Sequence, residues 1–360
     1  MRACLHGVCG GCGGRCGPVL RVRMVAVAWR SASPSLCPPR PCPLVCLWLH
    51  CARLQKARIC CLPAVAMADE SKVGSGGGDA VTNQPIVLDN GTGVMKAGFA
   101  GDERPKCTFR SYVGRPKYDC VMTGGALKQG AAYVGKPAED HRGAMRLSFP
   151  VEHGAVANWD DMERLWRHVY GEQGLSVASE ARPVLLTEPP LNAARMRERT
   201  AEVFFETFNA PAIQFSPQPV LSLYASGLVT GVVLGSGEGV TTAVPVYEGF
   251  AVKHAIQRSE VAGREVSQRM QLLLRKAGCV FHTSAESEIV RQVKESVGYV
   301  SFNPAEEEKN FNNRAKHVTH TLPDGTEIIV GAERFRAPEI LFQPSLVGTE
   351  CVVATLLLRA

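Results

Sequence analysis

The first 68 residues contain no acidic side chain, and the chain beyond residue 61 contains very little cysteine. The missing acids make the leader strongly basic. Arg2, Arg15, Arg21, Arg23, Arg30, Arg40, Arg53, Lys56 and Arg58 place nine positive charges before Asp69, so the remainder carries a net −3 although the whole 360-residue chain is +6. The basic balance belongs to the leader and gives no ground for reading a nucleic-acid surface on the rest. Beyond Cys61 only Cys107, Cys120, Cys279 and Cys351 remain. Their wide spacing argues against a disulfide framework and fits a reduced intracellular setting. A long apolar run is also missing: residues 41–52 are apolar but short and interrupted by Cys42, Cys46 and Cys51, against the roughly 20 residues that a membrane span requires.

What is there begins with the leader, which holds ten of the fourteen cysteines. Three readings of residues 1–66 stand side by side. One is a metal site on Cys9, Cys12 and Cys16, which lacks a clean fourth ligand. Another is an organelle-targeting leader, because the segment is arginine-rich and acid-free. The third is a non-native or structureless extension, with Met67 as an ordinary start and residues 74–79 as a glycine-rich linker. Residues 1–82 are therefore expected to be an extension and linker without fixed structure. The remaining length suggests two domains.

The stretch 86–96 reads Ile-Val-Leu-Asp-Asn-Gly-Thr-Gly-Val-Met-Lys. Asn90-Gly91 between two apolar runs signals a hairpin. Asp89, Thr92, Gly93 and Lys96 add an acid, a hydroxyl, a second glycine and a cation. Glycine lets backbone N–H groups converge on an anion and a lysine supplies counter-charge, which suits phosphate. An ordinary hairpin rich in Asn and Gly explains the same residues locally.

Further along, Asn158 is expected to cap a helix carrying Met162, Leu165, Trp166 and Val169 at helical spacing. Residues 183–187 read as a short buried strand. Asn192 is expected to cap a second helix with Met196, Thr200, Val203, Phe204 and Phe208 on one face and Arg197, Glu198, Glu202 and Glu206 on a solvated one. Pro219 suits a helix first turn. The strand–turn–strand pattern then repeats: Val232-Val233-Leu234 enters Gly235-Ser236-Gly237-Glu238-Gly239 and leaves through Val240. Two such turns can clamp a polyphosphate from both sides. Helices follow at 263–277, stopped by Gly278, and after the capping box Thr283-Ser284-Ala285-Glu286. On the latter, Ile289, Val293 and Val297 share one face, Arg291 lies elsewhere, and Lys294-Glu295 is either surface charge or a ligand contact. Residues 118–135 read as a mobile loop.

The segments 88–93, 96–102, 113–116, 152–154, 158–163, 185–188, 205–209, 220–227 and 342–345 together resemble actin. Within that superfamily the chain is most similar to the centractin branch, the actin-related subunits of the dynactin filament, through Asn83-Gln84-Pro85, residues 121–127 and residues 202–206. The resemblance implies an α/β actin-like ATPase (ribonuclease H-like) fold, with two related halves, 83–225 and 226–350, around a nucleotide cleft. It implies ATP or ADP with Mg²⁺ or Ca²⁺. Gly91, Thr92, Gly93, Val94, Met95 and Lys96 would hold phosphate, and Asp89 the metal's water shell. Ser236, Gly237, Glu238, Gly239 and Val240 would form the second phosphate turn, while Arg291, Lys294 and Glu295 would meet the nucleoside. Gln218 falls where the family orients the attacking water. His153 falls on the family's sensor loop, where a plain hydrogen-bonded histidine is an equal reading.

Departures qualify the function. The family's second turn is Asp-Ser-Gly-Asp-Gly followed by Val-Thr-His, whereas this chain has Gly235, Glu238 and Thr242 at the changed positions. A positioned acid–base group is worth ~10²–10⁴-fold in rate, so losing two water-organising groups implies at most weak hydrolysis. Residues 351–360 leave the family pattern, which continues further, so the second half is expected to be C-terminally incomplete. The expected function is a cytoplasmic, cytoskeletal filament subunit that self-associates and contacts dynactin subunits and, through them, dynein. Neither a nucleic-acid partner nor a membrane span is expected. A conventional polymerising ATPase and a truncated binding-only module are the alternatives.

Overall fold

The computed structural model describes residues 24–28, 84–118, 131–311 and 317–349. The expectations for the leader cysteines, the linker at 74–79, the loop segment 121–127 and the tail 351–360 fall outside the described residues. Within the extension expected to lack structure, β1 (Met24–Ala28) nevertheless forms a strand.

The strands after β1 are β2 (Ile86–Asn90), β3 (Val94–Phe99), β4 (Cys107–Arg110), β5 (Val113–Pro116), β6 (Met145–Ser148), β7 (Val151–Glu152) and β8 (Ala155–Val156). They continue with β9 (Val184–Glu188), β10 (Ile213–Pro217), β11 (Gly231–Ser236), β12 (Thr241–Tyr247), β13 (Phe250–Ala251), β14 (Gln257–Ser259), β15 (Val318–Thr321) and β16 (Glu327–Val330). One five-stranded sheet has the order β10-β9-β2-β3-β4; a second joins β1, β11, β12 and β13, with β14 also on β12. In the first, β2, β3 and β4 are antiparallel neighbours, while β2, β9 and β10 run parallel. Parallel neighbours need long crossovers, and the helices Trp159–Tyr170 and Ala194–Glu206 supply them. In the second sheet, β1 lies parallel to β11, with Met24 opposite Val232 and Ala28 opposite Ser236. An open β11 edge would present unpaired backbone donors and acceptors, which the run Met-Val-Ala-Val-Ala satisfies through its own backbone.

Burial explains why these segments adopt these elements. Ile86, Leu88, Met95, Val184 and Leu186 are buried in the first sheet, against Met162, Leu165, Trp166 and Val169 of the first crossover helix. Trp166 is fully buried and meets Phe204 edge-on at 4.8 Å. Its Nε1–H donates to Asn90 Oδ1 at 3.0 Å, so the core indole also holds the residue that opens the β2–β3 turn. A second core gathers Met270, Leu273 and Leu274 of the Gly263–Lys276 helix and Val290, Val293 and Val297 of the Ser284–Val297 helix.

Local signals mostly act as expected. Asn158 Oδ1 accepts from Asp161 N at 3.1 Å, and Thr283 with Glu286 forms the capping box. Gly278, at φ +96°, follows the end of its helix. Three expectations are corrected. Asn192 does not cap the Ala194–Glu206 helix, whose cap is Ala193, because its amide donates to Glu188 Oε2 at 3.2 Å. Arg197 is not simply solvated: it donates from Nε and Nη2 to the buried Glu188 at 3.1 and 2.6 Å. Arg291 is buried rather than peripheral, while Ile289 is only partly buried.

Asp161, fully buried at the start of its helix, fastens β5 to that helix by accepting from Arg115 and Arg164. Burial pushes its carboxyl upward, but the bonds from Arg115 and Arg164 prevail and hold it below its ordinary value of 3.8. A depressed acid contributes stability that is fully present above the unfolded-state value and lost as pH falls through the folded one. Asp161→Asn should therefore cost roughly 1.5–3 kcal/mol near neutrality, and its difference from the parent in urea unfolding should shrink below about pH 3.8. Trp166→Ala should cost about 3–5 kcal/mol in the same assay.

Candidate functional site

The site is built by two hairpin turns. In the first, between β2 and β3, Asn90 lies opposite Met95. A β-carbon on Gly91 would come within 2.3 Å of Val94 O, so the turn admits glycine there. Ser111 anchors the turn from the side, donating from Oγ to Gly91 O at 2.7 Å and from N to Gly93 O at 3.2 Å. In the second turn, between β11 and β12, Gly237 N donates to Val240 O at 3.0 Å. Its carbonyls are tied down as well: Gly263 N donates to Gly237 O and Arg264 N to Glu238 O. Ser236 is engaged locally. Thr241 Oγ1 donates to Val261 O, which leaves Ser236 Oγ to donate to Thr241 Oγ1 at 2.9 Å.

The two turns meet. A β-carbon on Gly93 would lie 2.9 Å from Glu238 Cβ, and one on Gly239 would lie 2.7 Å from Thr92 Oγ1. His153, at φ +45°, straps the junction. Gly239 O can only accept, so His153 carries its proton on Nδ1 and donates there at 3.0 Å. The following residue, Gly154, donates from N to Thr92 Oγ1 at 3.2 Å. Arg258 Nη2 donates to His153 O at 2.8 Å and fixes the strap from the β14 side.

Asp89 is the penultimate residue of β2, at the carboxyl-terminal edge of the first sheet, where open α/β sheets place their ligands. Its Oδ1 accepts from Thr187 Oγ1 at 2.6 Å and from Gln218 Nε2 at 2.8 Å, while Lys96 Nζ lies 3.7 Å from Oδ2. Lys96 is opposite Asp89 in the hairpin register, which accounts for the pair. Burial lowers the pKa of Lys96 and outweighs the opposing influence of Asp89. Gln218 thus stands beside Asp89, at the start of the Gln218–Ala225 helix. Met95 is fully buried in the core, so only its backbone is available to the turn.

The Ser284–Val297 helix supplies the remaining group. Lys294 Nζ donates to Gly263 O at 2.8 Å and lies 4.0 Å from Glu238 Oε2, which joins it to the second turn. Burial lowers its pKa. Arg291 bonds Glu288 and Glu295 on its own helix. Glu288, almost completely buried, also receives Arg110 from β4. Burial pushes Glu288 upward, yet Arg291 and Arg110 together hold its carboxyl below the usual range.

Thr187, Ser111, Gly154, Arg258, Arg110 and Glu288 carry no role in the sequence reading. Thr187 had the best available signal, a polar residue ending an apolar strand; the others act across the fold and leave no local pattern. Gly235, by contrast, is not sterically required, since an added β-carbon would meet only Thr242 Oγ1 at 3.8 Å. Among the described residues no group of three or more His, Cys, Asp or Glu side chains is placed to hold a metal by itself. A cavity of about 570 Å³ lies between Lys117, Glu139 and Arg142 on one side and Thr283, Glu286 and Ile289 on the other. None of the turn residues lines it. Among the described residues no helix is long and apolar enough to cross a membrane.

Two apposed glycine turns, with an acid and a lysine beside one of them, join two mixed β-sheets in an α/β fold. A family model described as Actin matches residues 80–355. An "Actin-like protein" of Neurospora crassa is 56% identical over 277 residues, which is 76% of this chain and 72% of that protein. The chain belongs to the actin family. Its mixed α/β sheets fit the actin-like ATPase fold, and the relationship makes it an actin-related cytoskeletal protein.

The junction makes a direct prediction. Gly239→Ala forces its methyl group against Thr92 and should destabilise the protein by about 1–3 kcal/mol. Adding Thr92→Ala removes the two nearest atoms and should recover part of that loss. A double-mutant cycle by chemical denaturation reads the coupling.

Proposed function

We propose that this chain is an ATP- or ADP-binding filament subunit of the centractin type, which self-associates into a short filament and works within dynactin, linking dynein to cargo. The observation that carries the reading is the junction of the two turns, with Gly93 against Glu238 and Gly239 against Thr92. The centractin-like segments at 83–85, 121–127 and 202–206 support the branch, and the similarity to an "Actin-like protein" supports the superfamily. On this reading the two sheets belong to related halves, 83–225 and 226–350, and the protein works in the cytoplasmic cytoskeleton.

The residues present fit a nucleotide. Glycines at 91, 93, 237 and 239 leave backbone free of side chains, and Lys96 and Lys294 add positive charge from partly or largely buried positions. Gly91 to Met95 would hold one side of the phosphates through backbone, with Lys96 as counter-charge. Ser236 to Val240 would hold the other side. A bound Mg²⁺ or Ca²⁺ would neutralise phosphate charge while keeping several of its waters. Asp89 would hold that water shell, which suits a site without a three-ligand cage. Arg291, Lys294 and Glu295 would face the nucleoside.

Hydrolysis is expected to be weak or absent. Gln218 is bonded to Asp89 and can orient a water from there. His153 positions the second turn through Gly239. Opposite them, Gly235 and Thr242 are register partners on β11 and β12 and offer no carboxylate and no imidazole. The Gln218–Asp89 contact favours the second reading, a conventional polymerising ATPase.

Binding of a fluorescent ATP analogue tests the proposal, and Lys96→Ala should weaken it about tenfold or more, as loss of a charge-assisted contact does. Restoring Gly235→Asp with Thr242→His should raise phosphate release by ~10²-fold or more. Rapid release by the unmodified chain, abolished in Gln218→Ala, would instead establish the conventional ATPase. Failure to co-sediment with dynactin components would remove the centractin-type assignment.

A further inference from the structure

One buried contact joins the first phosphate turn to the helix at the far side of the site. Arg110 ends β4 and sits opposite Val94, the residue that leaves the first turn. Its neighbour Ser111 is the residue that bonds Gly91 O and Gly93 O. From this flank Arg110 Nη2 reaches Glu288, 3.0 Å from Oε1 and 3.1 Å from Oε2, across 178 positions of sequence. Glu288 Oε1 also accepts from Arg291 Nε at 2.7 Å and Nη2 at 2.5 Å, and Arg291 Nη1 lies 2.5 Å from Glu295 Oε1. The result is a continuous chain of charges running from turn to Arg110, Glu288, Arg291 and Glu295.

We propose that Arg110 is a positioning residue for the nucleoside end of the site: it holds the Ser284–Val297 helix against the first turn through Glu288, and thereby sets how long a bound nucleotide stays. The proposal rests on the nucleotide-binding reading above. Burial decides which cross-contact matters. The Arg110 and Glu288 side chains are 13% and 5% exposed, so water and salt screen them little. Another ion pair that reaches across, Arg264 with Glu152, is 3.7 Å long and its glutamate is 57% exposed. A pair of that kind contributes little. Losing one member of a buried hydrogen-bonded charge pair acts mainly on dissociation, whereas an exposed rim charge acts on association and salt dependence.

Without Arg110, Glu288 keeps Arg291 as a partner, so the helix retains its internal pairing and the protein should still fold. What is lost is the tie to β4. Arg291 and Glu295 are then linked to the first turn only indirectly, through Lys294 and the second turn, and a nucleotide held at both ends is held less firmly at one.

Stopped-flow displacement of etheno-ATP by excess ATP, on the full chain, tests this. Arg110→Ala should speed release about tenfold to a hundredfold while association changes by less than about threefold. Arg110→Lys keeps the charge with one donor point and should recover much of the slow release. Glu152→Gln should leave release within about twofold of the parent and alter only its salt dependence. Release unchanged in Arg110→Ala, or a loss confined to association, overturns the proposal. A readout without nucleotide separates it from failure of the binding reading. In nucleotide-free protein, Arg110→Ala should accelerate amide hydrogen exchange in β4 and in the first turns of the Ser284–Val297 helix, with Arg110→Lys closer to the parent. If the parent binds no etheno-ATP but exchange shifts in this way, the nucleotide reading falls and the tie stands. If exchange is unchanged, the tie falls. Should Arg110→Ala melt early, Arg110→Gln, which keeps the stem and a donor, takes its place in both measurements.

Discussion

Two hairpin turns approach one another so closely that neither Gly93 nor Gly239 has room for a β-carbon. Much else in the molecule serves that approach. Trp166, at the centre of the first core, holds Asn90 at the head of one turn. The backbone of the Gly263–Lys276 helix start binds the carbonyls of the other. His153 and Gly154 cross between them, one bonding Gly239 and the next Thr92. Glycine is needed here for closeness rather than for unusual dihedral angles: neither Gly93 nor Gly239 has positive φ. A side chain at either position would push the turns apart.

Buried carboxylates perform the other long-range work. Asp161 accepts from Arg115 and Arg164, Glu188 from Arg197 and Asn192, and Glu288 from Arg110 and Arg291. Each is taken almost entirely out of water. A buried charge is tolerated only when its lone pairs are filled by well-placed donors, so each of these acids dictates where its partners' elements must lie. Such contacts add little net stability compared with apolar packing, but they specify position. That is the property a site assembled from β2, β4, β11 and distant helices requires.

Gly235 shows what the family relationship alone does not determine. It occupies β11 with open space beside it, so the glycine answers no packing demand. A β-carbon fits at this position, so the difference from the family's carboxylate is chemical rather than steric. Lys96, Asp89 and Gln218 remain joined on the opposite side. On the proposed reading, binding and hydrolysis are separable in this chain, since backbone geometry would govern the first and the lost side chains the second.

The sequence by itself determined the local devices. Asn90-Gly91, the glycines of both turns, the caps at Asn158 and Thr283 and the apolar stripe through Trp166 act over a few residues, and their patterns are visible without a fold. The pairing of Asp89 with Lys96 also follows from hairpin register. Where a nearby polar group competed, local inference failed: Asn192 turned to Glu188 instead of capping its helix. The burial of Arg291, the contact of Thr187 with Asp89, the strap from His153 and the tie from Arg110 to Glu288 were decided only by tertiary structure. Except for Arg291, whose ionic partners share its helix, the partners lie 62 to 178 positions away, and a charge that reads as surface becomes a buried anchor when another element brings its counter-charge. Periodicity records which face of an element is apolar. It carries no record of which other element will meet that face, because the meeting is set by the packing of the whole chain.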